Sequence, residues 1–483
     1  MISFKAIHGV ETMKTGRRRF LRMGAGAISS LVLIRSPFLA AGTRSEPVKL
    51  VPGPQLFLDD HLIASQSDLK RVIHVPARLP RPIVTAAEDQ NFQPYVSVIR
   101  DPETRRFRMW YNVPIDSGQS HIGYIESEDG IHWIRPHRVL VDPHPISFGA
   151  SVLDEGPAFP DQSRRFKMAT EKSGLWIAFS PDGLTWSSAV SRRVLDGIGD
   201  IVSLTRDPLR DRYLLTCKAH SVPGDGYKGG TQNSYEGVRR LVGHSVSEDC
   251  VHWRPVRRII LADDRDEGIT EFYSIGGVLA RGGLLIGLLK VLRDDLPHEP
   301  DAEVNGIGYT CLAWTRDGET WQRDREAFIP RNPEPGTWDR AMAWGDCQLP
   351  VGDELYVYYG GYARGHKVER FKERQIGLAR MKLDRYVSRD AGAEGGSLRT
   401  PPFAWNGLNL TVNAQVGGEL RARLLDKGGA PLPGFGDTDC QPVKGDSLAH
   451  PLKWRKPLAS LQRSPVQLEF LLRDARLYGF ELT

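Results

Sequence analysis

The chain has 483 residues, 40% of them apolar and 25% charged, with a formal net charge of +5. This length exceeds one ordinary domain, and the proportions are those of a soluble globular protein. The positive excess is local: Lys5, Lys14, Arg17, Arg18, Arg19, Arg22 and Arg35 stand against Glu11 alone in residues 1–42, so the near-neutral remainder removes the electrostatic case for a nucleic-acid partner.

Taken in order, Arg17-Arg18-Arg19-Phe20-Leu21-Arg22 precedes a short apolar run from Met23 to Ile34, with small residues at Ala40-Ala41-Gly42. This segment resembles a bacterial twin-arginine export signal, which implies a periplasmic or secreted location. The run is too short for a permanent membrane anchor, and no later stretch resembles a membrane helix. The five cysteines, at 217, 250, 311, 347 and 440, form no Cys-x-x-Cys pair; free buried thiols are expected rather than a disulfide framework.

After Leu56-Phe57-Leu58-Asp59-Asp60, a strand and a polar turn, one short pattern returns four times. It reads Ser127-Glu128-Asp129-Gly130-Ile131-His132-Trp133, Ser180-Pro181-Asp182-Gly183-Leu184-Thr185-Trp186, Ser247-Glu248-Asp249-Cys250-Val251-His252-Trp253 and Thr315-Arg316-Asp317-Gly318-Glu319-Thr320-Trp321. Each follows an apolar run, and Asp-Gly between strand-like runs is a hairpin signal. The tryptophans lie 53, 67 and 68 residues apart, a period that denotes an array of small sheets. Four quartets of strands and a fifth lacking its last strand are expected between residues 50 and 385. Leu56–Leu58 is available to complete the fifth. The fold expected is all-β: a five-bladed β-propeller, a Gly/Pro-rich linker over 386–403, and a small C-terminal β-sandwich over 404–483.

In such an array the innermost strands run in one direction, so side chains at their starts converge on one mouth. Asp200, Glu271 and Asp339 stand at the starts of three consecutive innermost strands. Clustered carboxylates drive their pKa values apart, which suits glycosidic-bond cleavage by an acid and a base or nucleophile. Glu271 is the candidate acid, and Asp339 or Asp200 the base or nucleophile. Asp60, Asn91, Gln93, Tyr273, Trp338 and Arg340 are candidate substrate-binding residues. A structural role for any one acid is as plausible as a catalytic one. Arg100-Asp101-Pro102 and Arg206-Asp207-Pro208 read as turns leaving inner strands. No metal-binding, phosphate-cradling or nucleophile-elbow motif is present.

The hairpins, the quartet count and the acids at strand starts resemble the five-bladed β-propeller glycoside hydrolases, the invertase-like and arabinanase-like group. Leu56-Phe57-Leu58-Asp59-Asp60, Asp446-Ser447 and Leu477-Tyr478-Gly479-Phe480 look like exported bacterial members labelled family 32-like. The resemblance covers residues 50–483 but lacks the Asn-Asp-Pro-Asn motif and the Glu-Cys pair. It implies a monomeric exported hydrolase of poly- or oligosaccharide, without a cofactor, with a structural calcium ion compatible with the axis. The alternative is a non-catalytic carbohydrate-binding propeller. A sialidase-like enzyme would need an arginine triad, for which Arg340 with Arg240 or Arg293 is a weak candidate.

Overall fold

The computed structural model describes residues 46–89, 95–113, 121–222, 224–227, 237–366, 368–369, 372–405, 407–461 and 465–483. The twin-arginine segment, Asn91 and Gln93 lie outside them. Described structure is almost entirely strand, as alternating apolar runs broken by Gly, Pro and Asp dictate.

Three four-stranded antiparallel sheets follow in order, each a meander of consecutive strands. The first begins with Val96–Arg100, the second with Ala150–Asp154 and the third with Val202–Asp207. The fourth, beginning with Thr270–Arg281, and the fifth, beginning with Met342–Val351, are joined into one eight-stranded sheet by a single parallel pairing, Gly308 with Met342. The five first strands touch in a closed cycle, the fifth against the first.

The repeated pattern forms the same turn each time. The Ser127 hydroxyl accepts from Gly130 N at 2.9 Å, and Asp129 Oδ1 accepts from the backbone N–H of Ile131 and His132, both at 2.8 Å. Asp182, Asp249 and Asp317 repeat the arrangement. The residue after each Asp has a left-handed backbone, which suits glycine; Cys250 adopts it too, at φ 67°. Each turn docks on the second strand of the preceding sheet. Trp110 Nε1 donates to Gly183 O at 2.8 Å, Tyr358 Oη to Gly130 O at 3.0 Å, and Arg212 Nη2 to Gly318 O at 3.1 Å.

The fifth sheet is completed from the N-terminal side, but by Ala77–Arg78, which pairs with Gln375–Lys382. Leu56 and Leu58 were expected there. They instead pack with Leu284, Ile286, Leu355 and Val357, filling the place where a fifth hairpin would have docked between the fourth and fifth sheets. Gln55–Leu56 itself pairs with Pro465–Leu482.

The remaining nine strands form one sheet around Leu410–Asp426 and Pro465–Leu482. The stretch expected as a linker, 386–403, is sheet instead. Val387–Ala391, Gly396–Arg399 and the start of Phe403–Ala404 are strands, each paired with Pro465–Leu482. Ser65–Ser67 and Leu69–Ile73, expected in the first domain, join this sheet as well. Phe57, Trp405, Val412, Phe470 and Phe480 are among its buried core. All five cysteines are free, four of them buried.

Candidate active site

In an antiparallel meander the start of the first strand and the end of the second reach the same edge. Asp200 stands ahead of Val202–Asp207, and Glu271 and Tyr273 open Thr270–Arg281. Glu171 ends Phe166–Glu171, Lys218 lies near the end of Arg212–His220, and Lys290 near the end of Leu284–Arg293. Asp346 enters from mid-strand. It occupies a bulge where pairing jumps from Gly345–Tyr359 to Cys347–Tyr358, and this re-aims its side chain onto Lys290.

These groups are electrostatically joined. Lys218 is ion-paired with Asp200, whose side chain keeps 34% of its exposure. The Lys218 ammonium also lies 5.5 Å from the centre of the Tyr273 ring. Tyr273 Oη is 3.3 Å from His366 Nε2, and its ring packs against Trp344 at 4.6 Å. Tyr95, 5% exposed, has a hydroxyl without a hydrogen-bond partner among the described residues. Burial, then the charges of Asp200, Glu171 and Asp346, holds that phenol well above its ordinary pKa, so one buried ring senses three carboxylates from three sheets.

Three acids here sit above the usual carboxylate range. Burial raises Glu171 first, and the Asp200 charge adds to it, against the backbone N–H groups of Ser173 and Gly174. Burial pushes Asp346 up to about 6 despite Lys290. Burial also raises Glu271, opposed by Arg240. Among the described residues no group of three or more His, Cys, Asp or Glu is arranged to hold a metal ion.

The expected acids separate into two sets. Asp200 and Glu271 both act on Tyr273. Glu271, however, is fully buried: Oε1 accepts from Arg240 N at 2.9 Å and Oε2 pairs with the Arg240 guanidinium, which also lies 3.7 Å from Asp294. Asp339 belongs elsewhere. Its Oδ2 accepts from Arg78 Nη1 at 2.8 Å and from Tyr359 Oη at 3.0 Å, tying the closing strand Ala77–Arg78 to the fifth sheet.

The expected binding residues divide similarly. Tyr273 lines the cluster just described. Trp338 stacks on Tyr359 at 5.5 Å, its six-membered ring lying where Gly361 and Gly377 leave space. Arg340 pairs with Glu299 at 2.9 Å, and Asp60 pairs with Arg389 beside the nine-stranded sheet. Asp101 and Asp207 close turns, as read: Asp101 Oδ1 accepts from Glu103 N and Thr104 N, both at 2.9 Å, and Asp207 Oδ1 from Leu209 N at 3.1 Å. Glu171, Lys218, Lys290 and Tyr95 were not anticipated as site residues. For Glu171, Lys218 and Lys290 the signal is the hairpin register, which carries second-strand ends to the edge where first strands begin; Tyr95 stands at such a beginning, ahead of Val96–Arg100.

No family model and no curated protein matches the chain. Among solved structures, it is similar to a glycoside hydrolase at 12% identity, over 64% of this chain and 92% of that one, with a TM-score of 0.45. It is also similar to a Bombyx mori GH32 beta-fructofuranosidase at 12% identity, over 85% and 94%, with a TM-score of 0.38. A third is an exo-beta-1,3-galactanase from Phanerochaete chrysosporium at 8% identity, over 86% and 100%, with a TM-score of 0.40.

Proposed function

We propose that this chain is an exported glycoside hydrolase built as a five-bladed β-propeller with a C-terminal β-sandwich, and that Glu171 and Asp200 do the chemistry in the axial hollow. The closed cycle of five first strands supports the blade count. The observation that carries the catalytic reading is the Glu171 carboxyl, lifted by burial and by the neighbouring Asp200 charge. Two carboxyls with unlike environments are what glycosidic cleavage requires.

Glu171 gives its proton to the glycosidic oxygen as the bond to the anomeric carbon breaks, so the leaving sugar departs as an alcohol. Asp200, paired with Lys218 and part-exposed, serves as the anionic partner, either taking a proton from the attacking water or bonding to the anomeric carbon itself. The unpartnered Tyr95 hydroxyl supplies a donor or acceptor for a sugar hydroxyl between them. Glu271 holds Arg240 over Tyr273 at 5.4 Å and is a positioning residue. The twin-arginine-like segment supports export to the periplasm or beyond, with carbohydrate as the partner of a monomeric chain.

The test is hydrolysis of a panel of plant, algal and microbial polysaccharides by the purified protein. Glu171→Gln and Asp200→Asn should each lower kcat by ~10²–10⁴-fold with the fold unchanged by circular dichroism. Sugar binding without turnover of any substrate would make the chain a carbohydrate-binding module. Full activity in Glu171→Gln would remove the acid assigned here.

A further inference from the structure

A cavity of about 690 Å³ opens where the fourth sheet's hairpin meets the N-terminal segment. The hairpin follows the third strand, Ile307–Thr315, which runs parallel to the first, so this cavity lies at the blade end opposite the axial carboxylates. Its volume falls in the range of small-molecule sites, roughly 300–1,000 Å³.

Every carboxylate lining it is already claimed. Asp59 takes both arms of Arg316 at 2.8 and 3.0 Å, and Asp324 takes Arg71 at 2.9 Å through both oxygens. Asp60 pairs with Arg389 at 2.7 Å. Asp317 accepts from Thr320 N at 2.7 Å, Glu319 N at 2.8 Å and Thr315 Oγ1 at 2.9 Å. Both lining guanidiniums, Arg71 and Arg316, are claimed by carboxylates, so an anion finds no partner here, while Asp317 is held by neutral donors alone and can accept from further hydroxyl groups. The walls are nevertheless polar, so an apolar ligand would strip them of water without compensation.

Planar guanidinium–carboxylate pairs retain N–H groups and lone pairs for further hydrogen bonds, as sugar hydroxyls require. Thr320 and Gln322 are exposed at the rim. The Trp314 indole, 6% exposed, forms part of the wall, and its Nε1–H has no partner among the described residues. We infer that this cavity is a second saccharide-binding site, for a neutral oligosaccharide, separate from the axial hollow and needing no catalysis there.

The test titrates the full protein carrying Glu171→Gln, which blocks hydrolysis, with neutral xylo-, arabino-, galacto- and fructo-tetrasaccharides in a calorimeter. Adding Thr320→Trp fills the cavity and should remove one binding site from the stoichiometry. Adding Gln322→Ala instead, which touches none of the ion pairs, should weaken that site about tenfold, equivalent to about 1.4 kcal/mol. Binding isotherms that neither substitution alters would overturn the proposal, as would failure of all four sugars to bind. The readout is binding alone, so it stays informative if the axial site hydrolyses nothing.

Discussion

Arg78→Ala addresses how the ring of sheets is closed. Arg78 sits on a two-residue strand, reaches Asp339 at 2.8 Å, and lies 5.6 Å above the Tyr359 ring. The two side chains keep 17% and 2% of their exposure, so this is a buried pair at a seam made from distant parts of the chain. Truncating the arginine leaves the Asp339 carboxylate buried with the Tyr359 hydroxyl as its remaining side-chain donor. Breaking one side of a buried pair costs about 3–5 kcal/mol, whereas replacing both members by apolar groups is often close to neutral. Arg78→Ala should therefore lose about 3–5 kcal/mol of unfolding free energy, measured by urea denaturation followed through tryptophan fluorescence. Arg78→Met with Asp339→Leu should recover most of that loss. Asp339→Asn should be less stable yet still hydrolyse substrate. Arg78→Ala within about 1 kcal/mol of the parent would refute the closure argument. An Asp339→Asn protein of full stability and no turnover would return Asp339 to the catalytic group.

Two further outcomes concern pH. In the repeated turns, burial pushes the Asp129, Asp249 and Asp317 carboxyls up, but backbone N–H donors outweigh it and hold them well below the usual range. Their contribution is therefore present above the ordinary carboxylate pKa and lost as pH falls through the lowered one; Asp249→Ala or Asp317→Ala should flatten the acid loss of stability below about pH 4. These carboxyls are largely exposed, so each is worth no more than about 1 kcal/mol at neutral pH. Asp346 has the opposite sign. With its carboxyl pushed up to about 6, the folded state holds a proton the unfolded chain has released, so stability falls as pH rises from about 4 to about 6. Glu171 and Glu271 are raised too and add to the slope, so Asp346→Asn should reduce it in thermal melts across this window, and an unchanged slope would show that Asp346 does not contribute to it.

The repeated turns were legible because their chemistry is local: a hydroxyl, a carboxylate and a left-handed residue within seven positions specify the turn wherever it occurs. The seam was not, because no local signal says which N-terminal run will pair with Gln375–Lys382. Leu56 and Leu58 are more apolar than Ala77-Arg78 and looked the better strand, yet that apolarity suits them to a hairpin's buried slot, while an outermost strand needs few buried side chains. The long strands of the nine-stranded sheet look interrupted in the sequence for a related reason. Gly417-Gly418 and Asp474 look like turns, but the pairing shifts register between Val416 and Glu419, and the strand continues through the bulge. Strand starts point alike to Asp200 and Glu271, which the fold brings near Tyr273, and to Asp339, which it ties to Arg78, since position relative to a strand does not say which way a side chain leaves it. Glu171 escaped because apolar patterning ended its strand at Ala169, whereas the strand runs on through two polar residues, Thr170 and Glu171. A site built from the polar ends of apolar strands lies where hydrophobic periodicity stops being informative. Antiparallel register, which carries each second-strand end back to the first-strand start, recovers it.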